Sequence, residues 1–310
     1  MSWLLLATIG QFLNAIVAIF DKYIVSDEKV MPRPFVYAFY SCLVTGFWAV
    51  VYLFGFIPGL SSLGFPTFNN VTAPSLHVVA LSFLAAYTFF LALVSMYDAL
   101  KRSSAAIIMP VIGSVAALSS FGLSHFFLGT RLEDNFVIGI ILLSVGTLLV
   151  AHTLPKIDVF LQVVHSGIYF ALHFITMKGL FIETSFDDGF FWSRLAFVLF
   201  TLSLLLVPAY LDKIRKQTKQ TTKKTGFIVL ATKMLAGISA FMLLKATDMG
   251  EVSVVQALEG LRYVFILLIS ILFAHWLPEA ATDKDPRPQT FFRTLLYIVL
   301  IVTGFIVLFT

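Results

Sequence analysis

Long apolar runs separated by short polar connections dominate the chain. Ten runs have the length, about 17–25 residues, that carries a helix across hydrocarbon about 30 Å thick. They are residues 3–25, 35–57, 76–96, 104–127, 136–152, 159–181, 189–210, 226–244, 252–276 and 291–309. Unbroken runs predict helices, because a barrel strand needs about 9–11 residues of alternating polarity. A helix also satisfies its own backbone in lipid. The expected fold is all-α and integral to the membrane, with ten transmembrane helices.

Five spans per half is an odd number, so two consecutive five-helix halves, residues 1–154 and 155–310, must be inverted relative to one another. The sequence carries traces of such a repeat. The stretch from Ala15 to Lys22 aligns with that from Ala171 to Lys178 at an offset of 156, and Gly146 aligns with Gly304 at 158. In the fourth and ninth runs Gly113 falls against Gly260, at 147. Inverted halves that exchange conformations expose a shared site to one side and then the other. The plainer alternative is a duplication retained only for packing.

Composition agrees with a membrane setting. Of 310 residues, 59% are hydrophobic and 12% are charged, against about 25% charged in soluble domains. Phe alone occurs 33 times. The net charge of +4 comes mostly from the connection 211–225. No basic face is interleaved with aromatics, so nucleic acid is not an expected partner. The lone Cys42 allows neither an internal disulfide nor a cysteine metal cluster. The first run lacks a basic leader and is read as a retained membrane helix.

The longest connections, 58–75, 211–225 and 277–290, are too short for a soluble domain. Function is therefore expected within or across the membrane. Fifteen of the 21 Lys and Arg residues fall in odd-numbered connections, among them Lys22, Lys29, Arg33, Lys101, Lys156, Lys213, Lys284 and Arg287. Only Arg131, Lys178, Arg194 and Lys245 fall on the other side. The bias predicts that the odd connections are cytoplasmic and both termini face outward, in a plasma or inner membrane. The outer connection 58–75 carries the sequon Asn70-Val71-Thr72.

Three stretches carry a family likeness. They are Ser103-Ser104-Ala105-Ala106-Ile107-Ile108-Met109-Pro110, then Phe126-Phe127-Leu128-Gly129-Thr130-Arg131-Leu132-Glu133, then Gly139 and Gly146. With these the chain resembles the EamA-like ten-helix group of the drug/metabolite transporter superfamily. It departs at Thr130, where the family usually has Glu, and in the stretch Leu277-Pro278-Glu279 with its enlarged charged loop. The resemblance implies a two-bundle fold around a central cavity and transport of small metabolites, often as efflux.

Ionisable groups at membrane depth are costly and default to functional roles. In the ninth run Gln256, Glu259 and Arg262 recur at a spacing of three, roughly one helix face. Arg262 suits a substrate carboxylate or phosphate, and Glu259 an amine or proton; a structural ion pair is the competing reading. Glu259 is taken as the only acid well inside a run. In the sixth run His165, Tyr169 and His173 form a stripe at a spacing of four, a ligand or proton path or a set of core hydrogen bonds. Two His eight residues apart lie about 12 Å apart along the axis, too far to share one ion, so no metal is expected. Asn14 beside Gln11, and Tyr87 beside Trp192, complete the candidates. Interhelical bonding and aromatic packing compete with binding at these positions.

Lys233, Lys22, Lys178 and Lys245 are expected to snorkel to the surface. Pro110 is expected to kink the fourth helix. That helix also carries Gly113, Ala116, Ala117, Ser119, Ser120, Gly122 and Ser124, a close-packing signal for the monomer or a homodimer face.

These features favour a secondary transporter for a small polar or amphipathic metabolite, without cofactor, with membrane lipids around it. No Walker motif is present, so ATP hydrolysis is not expected. The alternative is a membrane-embedded lipid-modifying enzyme or a lipid flippase subunit. The enzyme would need clustered carboxylates, a His motif or a nucleophile–base pair. Asp187-Asp188 is acidic but stands in an expected loop without basic or His company.

Overall fold

In lipid each apolar run must close its own backbone hydrogen bonds. The computed structural model describes residues 2–26, 33–57, 65–103, 105–151, 155–272 and 288–308, and no strand occurs among them. The helices are α1 (Ser2–Ser26), α2 (Pro34–Phe47), α3 (Leu76–Arg102), α4 (Ala105–Leu128), α5 (Asp134–Val150), α6 (Ile157–Glu183), α7 (Phe186–Ser203), α8 (Pro208–Gln220), α9 (Lys223–Met249), α10 (Val252–Ala257), α11 (Glu259–Leu272) and α12 (Pro288–Val307). α2 tightens into a 3₁₀ segment, Trp48–Phe56. Start signals sit where the chain leaves its connections. The side chains of Ser75, Ser185 and Thr222 accept the backbone N–H of Val78, Asp188 and Thr225, each cap contributing about 1 kcal/mol. Pro34 and Pro208 open α2 and α8, where a missing N–H costs no bond.

Among the described residues seven helices are long and apolar enough to cross a membrane: Ser2–Ser26, Pro34–Phe56, Leu76–Arg102, Ile107–Leu128, Ile157–Glu183, Phe186–Leu206 and Lys223–Met249. The outward faces carry large apolar side chains such as Leu5, Phe47, Leu161 and Phe227, all more than 60% exposed. A perimeter of that kind suits lipid rather than water. The fold is that of an α-helical, multi-pass membrane protein.

Two of the ten expected segments are helical but fall short of a continuous span. α5 has 17 residues, about 25 Å at 1.5 Å per residue. The ninth segment divides into α10 and α11 at Leu258, where Leu261 N–H turns to Leu258 O at 3.0 Å, a three-residue step. The tenth segment lies in α12, a helix of 20 residues. The end of the ninth segment, residues 309 and 310, and the stretch 277–287 of the connection 277–290, with Lys284 and Arg287, lie outside the described residues, as do Lys29 and Ser104.

One further expectation is corrected. The connection 211–225 is largely helical, as α8. Its Ile214 and Gln217 are buried, and Tyr40 meets Thr218 hydroxyl to hydroxyl at 2.5 Å. The stripe on α8 is too narrow for a search based on long apolar runs to find. Pro110 stands inside the continuous helix α4, and a break in the helical hydrogen bonding falls at Leu258.

The packing is reciprocal. α1 lies along α9 and α3 along α6; α2 meets α7, α5 meets α12, and α10 meets α4. Close approach is achieved by small residues. A Cβ on Gly304 of α12 would stand 2.9 Å from Leu143 N of α5, and one on Gly146 of α5 would stand 2.9 Å from Ile301 Cγ1 of α12. Hydroxyl bonds tie the long pairs: Ser166 Oγ to Ala92 O at 2.9 Å (α6 to α3), and Ser239 Oγ to Gly10 O at 2.8 Å (α9 to α1). Lys22 of α1 donates to Leu100 O and Ser103 O at the end of α3. Lys178 of α6 donates to Thr247 O, Asp248 O and Gly250 O at the end of α9. Both lysines therefore cap the carbonyls of a helix C-terminus, where a cation is favoured, rather than snorkelling. Lys245 also turns inward, 3.2 Å from Asp248 and 4.1 Å from the centre of the Phe186 ring.

Candidate functional site

A cavity of about 130 Å³ lies between α1, α2, α3, α4, α6, α9, α10 and α11. Its wall is apolar in Phe89, Leu93, Met96, Phe170, Phe174 and Leu243, and polar in Gln11, Asn14, Asp21, Ser41, Thr45, Tyr97, Lys233, Gln256, Glu259 and Arg262. A wider cleft of about 570 Å³ opens at the basic end of the molecule, among Arg33, Lys101, Asp212, Lys213 and Lys216. Most of that lining is exposed, so the cleft belongs to the surface and the smaller cavity is the site between the helices.

Two ion pairs stand on the cavity wall. The first joins α1 to α9: Lys233 Nζ is 2.7 Å from Asp21 Oδ1, and both side chains are about 5% exposed. Lys233 also donates to Tyr97 OH at 2.8 Å and lies 4.2 Å from the Tyr37 ring centre. Asp21 further accepts from the hydroxyls of Tyr37 and Tyr97. Four helices, α1, α2, α3 and α9, thus meet on one carboxylate. The expected snorkelling of Lys233 is not observed. The residue sits ten positions into α9, about 15 Å from its start, and faces the interior of the bundle, where it meets the Asp21 carboxylate. Sequence reasoning missed Asp21 by treating it as a helix end, although α1 continues to Ser26. The available signal was one acid and one base, each inside an apolar run.

The second pair is Glu259 with Arg262, one turn apart on α11. Arg262 also donates to Tyr263 OH at 3.2 Å, and that hydroxyl donates to Met109 O on α4. Gly113 of α4 makes room for this group: a Cβ there would lie 2.8 Å from Tyr263 OH and 3.4 Å from Glu259. Gln256 lies one turn before Glu259, beyond the break at Leu258. Two buried polar atoms of wall residues, Gln11 Oε1 and Arg262 Nε, have no hydrogen-bond partner among the described residues.

Of the residues singled out from sequence, the cavity gathers Asn14, Gln256, Glu259 and Arg262, and not His165, Tyr169, His173 or Tyr87. His165 is exposed, with Nδ1 2.8 Å from Ser95 Oγ, and its ring meets Tyr169 edge to face. His173 is buried, bonded through Nδ1 to Ala85 O at 2.9 Å and packed on Phe89, Phe174 and Phe197. A spacing of four advances about 40° beyond a full turn. The stripe therefore winds about 80° from His165 to His173, from the outer surface to the core. Tyr87 is 46% exposed beside Phe200. Asp187 and Asp188 stand in the first turn of α7, not in a loop. They bind Asn70 Nδ2 and Thr72 Oγ1, each at 2.7 Å, and so pin the segment before α3. The Trp192 indole donates to Thr72 O in the same place.

No protein-family profile matches the chain, and no curated protein does. Among solved structures 27 chains are similar. One, described only as "Crystal structure of protein", aligns over 97% of both chains with a TM-score of 0.63 at 14% identity. At that identity the likeness extends to the fold alone.

Proposed function

We propose that the chain is a secondary transporter of the drug/metabolite transporter kind, moving a small polar or amphipathic metabolite by alternating access. The observation that carries this reading is the inner cavity with two ion pairs and two unpartnered polar atoms on a wall that is otherwise largely apolar. Buried charge in a membrane protein is costly and marks substrate or ion paths. A helix interrupted beside such a cavity, as at Leu258, is a recurring feature of transporter sites.

Alternating access calls for ten spans in two inverted halves, and the interhelical bonds support that arrangement. Moving from Gly10 to Ser166 and from Lys22 to Lys178 adds 156. Moving from Ala92 to Ser239, from Leu100 to Thr247 and from Ser103 to Gly250 adds 147. The bond between positions 166 and 92 therefore has its counterpart between positions 10 and 239, and the Lys22 cap has its counterpart in the Lys178 cap. Exchange of α1 with α6 and of α3 with α9 maps one set of contacts onto the other. The charges break this symmetry, because the positions matching Asp21 and Lys233 are Met177 and Ala86.

The Asp21–Lys233 pair lies toward the basic end and holds the first half to the second. In this reading it locks the cavity on that side. Glu259 and Arg262 form the substrate contact deeper in. The two pairs sum to zero charge, so a zwitterionic or neutral polar solute enters without leaving net buried charge. The cavity is smaller than the roughly 300–1,000 Å³ of drug-sized sites, which favours a small metabolite in this conformation.

The test is uptake of a metabolite panel into proteoliposomes, with and without an imposed pH gradient. Glu259→Gln and Arg262→Gln are each expected to abolish uptake while the protein remains monodisperse in detergent. Uptake equal to the wild type in both variants would remove the pair from the mechanism. No uptake of any solute by the wild type would count against transport itself.

A further inference from the structure

Arg194 lies near the middle of α7 and is among the largest fully buried side chains, at 2% exposure. The other buried cations of the described spans are matched: Lys233 by Asp21 and Arg262 by Glu259. Arg194 has no carboxylate within 4 Å among the described residues. Its one hydrogen bond, Nη2 to the Oγ of the neighbouring Ser193, is long at 3.4 Å, and its Nε has no partner. The nearest acids in sequence, Asp187 and Asp188, are about two turns away on the same helix and already hold Asn70 and Thr72.

The surroundings are aromatic. The guanidinium carbon is 4.7 Å from the ring centres of both Phe190 and Phe197. Phe197 packs on Phe89 at 5.4 Å, and Phe89 lines the central cavity. Arg194 therefore stands one aromatic layer behind the cavity wall. Ring faces attract a cation, but they accept its N–H groups only weakly and do not replace oxygen acceptors for its five donors. A guanidinium left with unspent donors in a dry core lacks its anion.

We infer that Arg194 is the receptor for an exogenous oxyanion, a carboxylate or a phosphate group held by the guanidinium fork between Phe190 and Phe197. A planar fork of parallel N–H donors matches such groups with two bonds at once, whereas a spherical halide uses the fork poorly. This inference does not depend on the transport reading, since it concerns equilibrium binding to the purified chain. If both hold, the anion comes from the solute, and Arg194 engages it once α7 and α3 separate.

The test measures the melting temperature of the whole protein in detergent at constant ionic strength, replacing chloride by inorganic phosphate or by acetate. The wild type is expected to gain at least about 2 °C with phosphate, acetate or both; which of them acts separates a phosphate from a carboxylate source. Arg194→Met is expected to lose that gain and to melt higher than the wild type in chloride. Arg194→Lys keeps the charge without the fork and is expected to show a smaller gain; it serves alone if the Met variant does not fold. An equal gain in the wild type and the variants, no gain in the wild type, or a lower melting point for Arg194→Met in chloride would each overturn the inference. The last would assign Arg194 to packing.

Discussion

A lysine amine inside a bilayer either reaches the headgroups or finds a carboxylate, and Lys233 does the second. With Asp21 and the hydroxyls of Tyr37 and Tyr97 it forms a buried, mutually satisfied group. Breaking one side of such a pair leaves a naked charge and costs about 3–5 kcal/mol. Asp21→Asn and Lys233→Met are each expected to lower the melting temperature in detergent by several degrees. The double variant, which carries no charge there, is expected to recover most of the loss. Strict additivity of the two single effects would show that the residues do not depend on one another. If the pair also locks the basic side, the double variant should remain folded yet transport with altered rate. Glu259 and Arg262 were readable from a spacing of three within one run. Asp21 and Lys233 are 212 positions apart, and no local pattern joins them. What was local in the candidate site was legible, and what depended on helices meeting was not.

At the scale of the helices, long apolar runs located the seven described helices that are long and apolar enough to cross a membrane, because length and apolarity are what hydrocarbon demands. The same criterion passed over α8, whose buried positions are Ile214 and Gln217 within a basic stretch. It also passed over the break at Leu258, where no Pro stands and Gly260, inside the step from Leu258 to Leu261, was read only as the repeat counterpart of Gly113. Pro110, which does announce one, is carried by a continuous α4. Tertiary neighbours decide such points. The seam between α5 and α12 is a second example, because it depends on glycine. A Cβ at Gly304 would meet Leu143 N and Leu142 Cβ at 2.9 Å, and a backbone atom of a helix cannot step aside as a flexible side chain does. Gly304→Ala is therefore expected to destabilise the protein by about 1–3 kcal/mol. By contrast Gly122, where an added Cβ would meet nothing within 4 Å, should accept Ala with no loss, or with the small gain of a better helix former. Thermal melts of the two variants side by side check this. A harmless Gly304→Ala would mean that α5 and α12 are not held at this distance.

Across the whole molecule the proposed inversion has a geometric consequence independent of any substrate. Under the offset of 147 Arg102, at the end of α3, corresponds to Met249, at the end of α9. In halves that share one orientation these positions face the same side of the membrane; in inverted halves they face opposite sides. Both side chains are accessible, Arg102 at 46% and Met249 at 47% exposure. Cys42 is fully buried, so Cys42→Ala supplies a background without reactive thiols at small packing cost. In vesicles of known orientation, a membrane-impermeant maleimide is expected to label Arg102→Cys from the side bearing the basic connections and Met249→Cys only from the other. Labelling of both from one side would refute the inversion, and alternating access between two such halves with it. The reciprocal Ser166–Ala92 and Ser239–Gly10 bonds would then be coincidences of close helix packing. Opposite labelling would make them the contacts through which one half can adopt the conformation of the other, with the unsymmetrical Asp21–Lys233 pair deciding which side stays closed.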